Sequence, residues 1–271
     1  MSTTETKGTA LITGASTGIG RATASLLARK GYNVFGGVRS PERVQPMPGV
    51  ELVRVDVRDD VSVKACVDHV LDRSRRIDVL VNNAGYSIIG AVEETTIEQA
   101  QALFDTNVFG VMRMIRAVLP AMRQAHLGLI VNISSVAGFL PVPFMGLYTS
   151  SKHALEGLSE SLDHEVRQFG IRVALVEPDF INTPIDTNTQ EAAERVAAYS
   201  EQSGRTASAI MGKLKAGPPP ELVAETILRS IEKGFRLRHP AGKEAGYLSV
   251  VRRFMPATMV DRGVRKRFNL T

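Results

Sequence analysis

The 271 residues are 44% hydrophobic and 23% charged, a globular balance that excludes a disordered chain and suffices to bury a core without covalent staples. The single cysteine, Cys66, excludes an internal disulfide framework and a multi-cysteine zinc site, and no apolar run approaches the roughly 18 residues of a membrane span. The net charge of +5 is uneven: Lys233 to Thr271 holds ten Lys and Arg against two acids, a charge of +8, so the other residues sum to −3 and suit a nucleic-acid groove poorly.

The segment Met1 to Gly8 is polar and lacks the apolar core of a secretory signal, which with the lone cysteine predicts a cytoplasmic protein. Thr9 to Thr13 is a short apolar strand that stops at Gly14. Helix formers follow from Arg21 to Lys30, and Gly31 closes them as a C′ glycine. Strands are predicted at Asn33 to Val38 and Glu51 to Val55, then a helix over Asp59 to Arg73 with apolar residues at 63, 67, 70 and 71. Ile77 to Val81 is a fourth strand, Thr96 to Met122 a long helical stretch, and Leu129 to Ile133 a fifth strand. Leu147 to Phe169 is helical and ends at Gly170. Ile171 to Val176 is a sixth strand and Phe235 to His239 a seventh.

Strands this apolar are buried on both faces, and helices between them imply parallel pairing. Right-handed crossovers then give an α/β fold: a doubly wound, Rossmann-type parallel sheet of about seven strands with helices on both faces. We read residues 1–271 as one dinucleotide-binding and catalytic domain, with 184–220 a variable substrate-covering segment and 241–271 a basic C-terminal tail. Sheets of this kind bind ligands outside the carboxyl ends of their strands, and the motifs fall there.

The first strand-to-helix turn reads Gly14-Ala15-Ser16-Thr17-Gly18-Ile19-Gly20. Its glycines permit positive φ and close backbone approach, and the helix N-terminus behind them offers free N–H groups to a phosphate. Tyr148 and Lys152, four apart, share a helix face. An ammonium beside a phenol favours the phenolate, which predicts a lowered Tyr148 pKa and a usable general acid or base. Ser135, at the end of the fifth strand, can hydrogen-bond a carbonyl or hydroxyl oxygen. The five histidines lack metal spacing, so no metal is expected, and no G-x-S-x-G elbow supports a hydrolase.

Together TGASTGIG at 13–20, Asp56-Val57, NNAG at 82–85, Asn107, Ser135 and YTSSK at 148–152 resemble the short-chain dehydrogenase/reductase family over about residues 8 to 240. The resemblance implies NAD(P)-dependent hydride transfer between an alcohol and a carbonyl compound. It implies that Tyr148 exchanges the proton and Ser135 holds the substrate oxygen. Lys152 then binds the nicotinamide ribose, and Asn107 supports a proton relay through water. It places Asn83, Ala84 and Gly85 by the cofactor, Asp56 and Val57 by the adenine, and Pro178, Ile181 and Thr183 by the nicotinamide. It also implies a homodimer or homotetramer packed through the two long helices. One position departs from the family's P-G-x-x-x-T pattern: Asp179 stands where the family has glycine.

The second strand ends at Val38, where an acid would select NAD, and Arg39 follows. A guanidinium grips a 2′-phosphate, with Ser16 as helper, so charge favours NADP(H) over NAD(H); alternatively Arg39 stacks over adenine. Phe139 to Met145, Tyr86, Ile88 and Ile89, with Tyr199, Ile210, Met211 and Leu214, offer apolar walls for a hydrophobic alcohol or carbonyl compound. The order of motifs and the VFGGVR strand also resemble the branch with 17β-hydroxysteroid and retinol dehydrogenases. A same-fold epimerase or dehydratase and a non-catalytic NADP-binding sensor are the alternative functions. In the tail, residues 247, 248, 251, 254 and 255 are apolar at helical spacing, Pro256 breaks the helix, and Val260 to Phe268 forms a second one. That pattern suits packing beside the pocket, or contact with an anionic membrane surface.

Overall fold

Alternation within the strands sets the two faces of the sheet. In β1 (Thr9–Thr13) Leu11 points to one side while Ala10 and Ile12 point to the other, and β2 (Asn33–Val38) divides Phe35 from Val34 and Val38 in the same way. The structure is a computed structural model that describes residues 6–183 and 189–270. The strands continue as β3 (Val50–Arg54), β4 (Val79–Asn82), β5 (Ser87–Ile89), β6 (Gly128–Ile133), β7 (Ile171–Pro178), β8 (Thr189–Glu191) and β9 (Arg238–Ala241).

Seven of them form one parallel sheet in the order β3-β2-β1-β4-β6-β7-β9. Helices α2 (Asp60–Ser74), α4 (Gly110–Ala125) and α5 (Gly146–Val166) cover one face, where Val70, Met114 and Leu155 close over Leu11, Leu80 and Ile130. Helices α1 (Gly18–Arg29) and α7 (Glu221–Glu232) cover the other, with Leu27, Val223 and Ile227 over Ile12, Val34 and Val131. Burial on both faces explains the near-continuous apolar strands. The strand order reverses between β1 and β4, and the crevice at their carboxyl ends holds the site.

The long helical stretch expected over Thr96 to Met122 runs unbroken through α3 (Ile97–Phe104), a π-helical turn at Asp105–Phe109 and α4. That turn is held from both ends. The Arg113 Nη1 donates to Asp105 Oδ1 at 2.7 Å, and the Asn107 amide brackets the backbone of Tyr86.

The expected last strand, Phe235 to His239, forms three residues later. The Phe235 ring lies under the Arg172 guanidinium, 3.2 Å from centroid to carbon, and pairing with β7 begins at Arg238 opposite Leu175. Pro240 is tolerated there because β9 is an edge strand. Helix α7, apolar at 223, 227, 228 and 231 at helical spacing, and the small parallel pair β5–β8 were not among the expected elements. α6 (Ser200–Ala216), α8 (Lys243–Phe254) and α9 (Ala257–Arg267) complete the chain, and Pro184 of the variable segment lies outside the described residues.

Candidate active site

The glycine turn is shaped from seventy residues away. Asn83 donates its side-chain amide to the Thr13 and Gly14 carbonyl oxygens at 3.0 and 3.1 Å, and the Thr13 hydroxyl accepts from the backbone of Asn83 and Ala84. Gly14 sits at φ +67, and a Cβ on Gly20 would lie 2.3 Å from the Gly14 oxygen, so neither position admits a side chain without movement. The expected helix start at Arg21 is too late: α1 begins at Gly18, inside the motif. Its N-cap Thr17 makes no side-chain bond and its first turn has no acid, which leaves N–H groups and positive dipole for an anion.

A cavity of about 700 Å³ runs from this turn across the strand ends. Ser16, Thr17, Ile19, Arg39, Asp56 and Val57 line one end of it. Asn83, Ala84, Gly85, Pro178, Ile181 and Thr183 line its length, together with Ser135, Tyr148 and Lys152. Gly18, Gly20 and Asn107 stand behind the wall. Gly18 (φ +53) and Gly20 shape the turn, and Asn107, 1% exposed, accepts from the Tyr86 N–H at 3.1 Å and donates to the Tyr86 oxygen at 2.9 Å and to Ser151 Oγ at 3.2 Å.

Sequence reasoning passed over three neighbours. Arg58 lines the cavity and holds the Asp56 carboxylate at 2.7 Å, which keeps that carboxyl below its usual range. Gly37 also lines it, and a Cβ there would meet Val55 at 2.7 Å. Ser134 donates to buried Glu156, one turn beyond Lys152. The serine run 134–135 and the spacing from Lys152 to Glu156 were the available signals.

Ser135 caps a short 3-10 turn, accepting from the Ala137 N–H at 3.1 Å and donating to the Pro178 oxygen at 3.3 Å. The expected low phenol pKa is not what the side chains produce. Burial pushes the Tyr148 hydroxyl up, while a hydrogen bond with Ser135 pulls it down. Lys152 does not offset this: its Nζ donates to the Ile133 oxygen at 2.7 Å and lies 5.7 Å from the Tyr148 ring centroid. Burial also pushes the ammonium down to about 8, against the opposing charge of Glu156.

At the apolar end Leu140, Pro141, Val142 and Met145 line the cavity, while Phe139, Pro143 and Phe144 do not. Tyr86, Ile89, Ile210 and Leu214 line it too. Ile88 is buried elsewhere, Met211 is off the wall, and the Tyr199 hydroxyl donates to Glu93 at 2.9 Å. The tail divides its apolar residues: Leu248 and Met255 pack with Val136 and Leu140, whereas Tyr247 and Phe254 are exposed. Among the described residues no helix is long and apolar enough to cross a membrane.

The short chain dehydrogenase family model matches residues 8–194. A protein of Bacteroides thetaiotaomicron named 3-ketodihydrosphingosine reductase is 38% identical over 82% of this chain and 83% of its own. A short-chain dehydrogenase/reductase of Burkholderia phymatum, solved with NAD, has a TM-score of 0.77 at 27% identity, covering 91% of this chain and 92% of that one. ElxO, solved with NADP, has a TM-score of 0.74 at 27% identity, covering 90% and 99%. The chain belongs to the short-chain dehydrogenase family and is an oxidoreductase.

Proposed function

We propose that this short-chain dehydrogenase reduces a hydrophobic ketone or aldehyde, or oxidises the matching alcohol, with NADP(H) preferred over NAD(H). The observation that carries the reading is the convergence of Ser135, Tyr148 and Lys152 on the wall of a cavity that also holds the glycine turn. The cradle fits a dinucleotide: a turn with no room for a Cβ at Gly20, an uncapped helix N-terminus, and no acid at the end of β2.

When bound, the nicotinamide group supplies or accepts the hydride. Tyr148 holds the proton exchanged with the substrate oxygen, and its raised pKa suits donation during reduction. The Ser135 hydroxyl orients that oxygen. Lys152, whose ammonium donates to the Ile133 carbonyl oxygen and lies beside Tyr148, would hold the nicotinamide ribose. Asn107 acts from behind the wall, holding the Tyr86 backbone and Ser151 in place. Arg39, beside Val38, supplies paired donors for a 2′-phosphate, with Ser16 at the same end.

The described part of the variable segment and the tail contribute Ile210, Leu214, Leu248 and Val264 to the apolar end, which supports their reading as substrate-covering. The keto compound in the name of the Bacteroides relative supports a ketone. Phe109 and Met112, exposed on the π turn and α4, support association through the long helices. Purified protein should consume NADPH with lipophilic ketones or aldehydes, and more slowly NADH. Absence of consumption with either cofactor across such a panel overturns the reading, and tight binding without turnover favours the sensor.

A further inference from the structure

Two features stand apart in the sequence: Asp179, which departs from the P-G-x-x-x-T pattern, and the basic tail. They meet in the structure. Arg267, the last residue of α9, donates from Nη2 to Asp179 Oδ2 at 2.8 Å, across 88 positions of sequence. Its Nη1 pairs with Glu244 of α8, so one guanidinium ties both tail helices to the residue that follows β7. The same guanidinium lies 5.8 Å from the Phe180 ring centroid.

The next residue, Phe268, is 2% exposed. It meets Phe180 edge-on, with centroids 6.4 Å apart, and packs with Ile89, Met145 and Ile210, while its carbonyl oxygen accepts from Thr206 at 3.3 Å. Asp179, Val264, Arg267 and Phe268 line the cavity that holds Ser135 and Tyr148. The pairing is largely shielded from water: the side chains of Arg267 and Asp179 are 20% and 14% exposed. A guanidinium held in a fork by two carboxylates has a fixed direction, which an exposed lysine pair would not give.

We propose that the Asp179–Arg267 ion pair is a positioning device that fixes the C-terminal helix as one wall of the substrate site and thereby determines preference for long apolar substrates. Neither residue takes part in proton or hydride transfer. Loss of the pair lets α9 and Phe268 shift, and the apolar end of the cavity loses its shape where a long substrate would lie. A short substrate, held at Ser135 and Tyr148, does not reach that wall.

The proposal rests on the reading of the cavity as a site for hydrophobic carbonyl compounds, and two readouts separate the two. The first is the ratio of kcat/KM for a ten-carbon to a four-carbon aldehyde with NADPH, in wild type, Asp179→Asn, Arg267→Gln and the double variant. The expected result is a fall of about tenfold in that ratio for each single variant, carried by KM of the long substrate. The double variant should resemble Arg267→Gln alone, because that change already removes the contact with Asp179 along with the one to Glu244. Arg267→Lys should recover part of the ratio. The second readout, independent of turnover, is hydrogen exchange of peptides from 257–270, which should accelerate in each variant. If a variant unfolds, Asp179→Gly removes the carboxylate without leaving a strained or mismatched group. Faster exchange with an unchanged ratio overturns the specificity role, and unchanged exchange overturns the anchor. A wild type that reduces neither aldehyde, yet shows the exchange difference, condemns the substrate reading and leaves the anchor standing.

Discussion

The dinucleotide end of the cavity is lined by residues at neighbouring strand ends around a glycine turn, the substrate end by residues from segments scattered between 86 and 268. At the first end, Gly14, Gly20 and Gly37 act by what they lack, and Asn83 locks the turn by bonding two carbonyl oxygens. At the second, Leu140, Ile210, Leu248, Val264 and Phe268 come from separate elements, and an ion pair holds the last of them in place. A turn with no room for a Cβ resists substitution, whereas a wall of apolar side chains can be re-cut by it. The contrast explains why the reaction class is a family property and the substrate is not.

The sharpest test removes one atom from the reacting centre and nothing from the cradle. Tyr148→Phe should lower turnover by about 10²–10⁴-fold, the range of a general acid or base, while NADPH affinity by fluorescence titration stays within a few-fold of wild type. Turnover near wild type would remove Tyr148 from the reaction.

Next in size are two changes at the cradle. Gly20→Ala places a methyl 2.3 Å from the Gly14 oxygen, so binding of both NADPH and NADH should weaken by about 10- to 100-fold, consistent with the ~1–3 kcal/mol of overpacking. Arg39→Ala should weaken NADPH by about 10- to 100-fold and leave NADH nearly unchanged, since a charge-assisted hydrogen bond is worth ~1.5–3 kcal/mol. Equal loss for both cofactors at Arg39 would show that it serves the adenine and not a 2′-phosphate.

The smallest effect concerns the support behind the substrate end. Glu177 of β7 is 1% exposed, facing Glu156 of α5 and Arg238 of β9. Burial, then the charge of Glu156, pushes its carboxyl from 4.5 up to about 7. A carboxyl raised by folding favours the folded state while it is protonated. That contribution is complete below pH 4.5 and is lost as pH rises through about 7. Glu177→Gln should therefore gain in Tm relative to wild type between pH 5 and pH 8, by a few degrees at about 2–4 °C per kcal/mol. An equal difference at both pH values would show that the carboxyl does not titrate in this window. Asp163 runs the other way. It is buried, but Arg172, the Val173 N–H and Arg167 overcome that burial and hold it at about 2, so its contribution is lost only as pH falls from 3.8 toward 2.

Much of this was legible in the sequence where one local pattern suffices. Apolar runs of β-branched residues between helical periods gave the parallel sheet, and the glycine spacing at 14–20 gave the cradle. The π turn at Asn107 was not legible, because the groups that hold it, the Tyr86 backbone, Ser151 and Arg113, meet it only in the fold. The shift of β9 was equally hidden, since the FRLRH run alternates like a strand and only the Arg172 guanidinium takes Phe235 out of register.

Reading along the chain sufficed for the fold class and the family, and it named the candidate side chains that meet at the cavity, because periodicity and short motifs are properties of neighbouring residues. Tertiary structure alone decided the electrostatics and the walls. Lys152 points its charge at the Ile133 oxygen, Tyr148 is raised by burial where spacing suggested lowering, and Asp179 finds Arg267 across the fold. Burial and ion pairing depend on which distant segments arrive at the same place, and no local pattern in the chain encodes that.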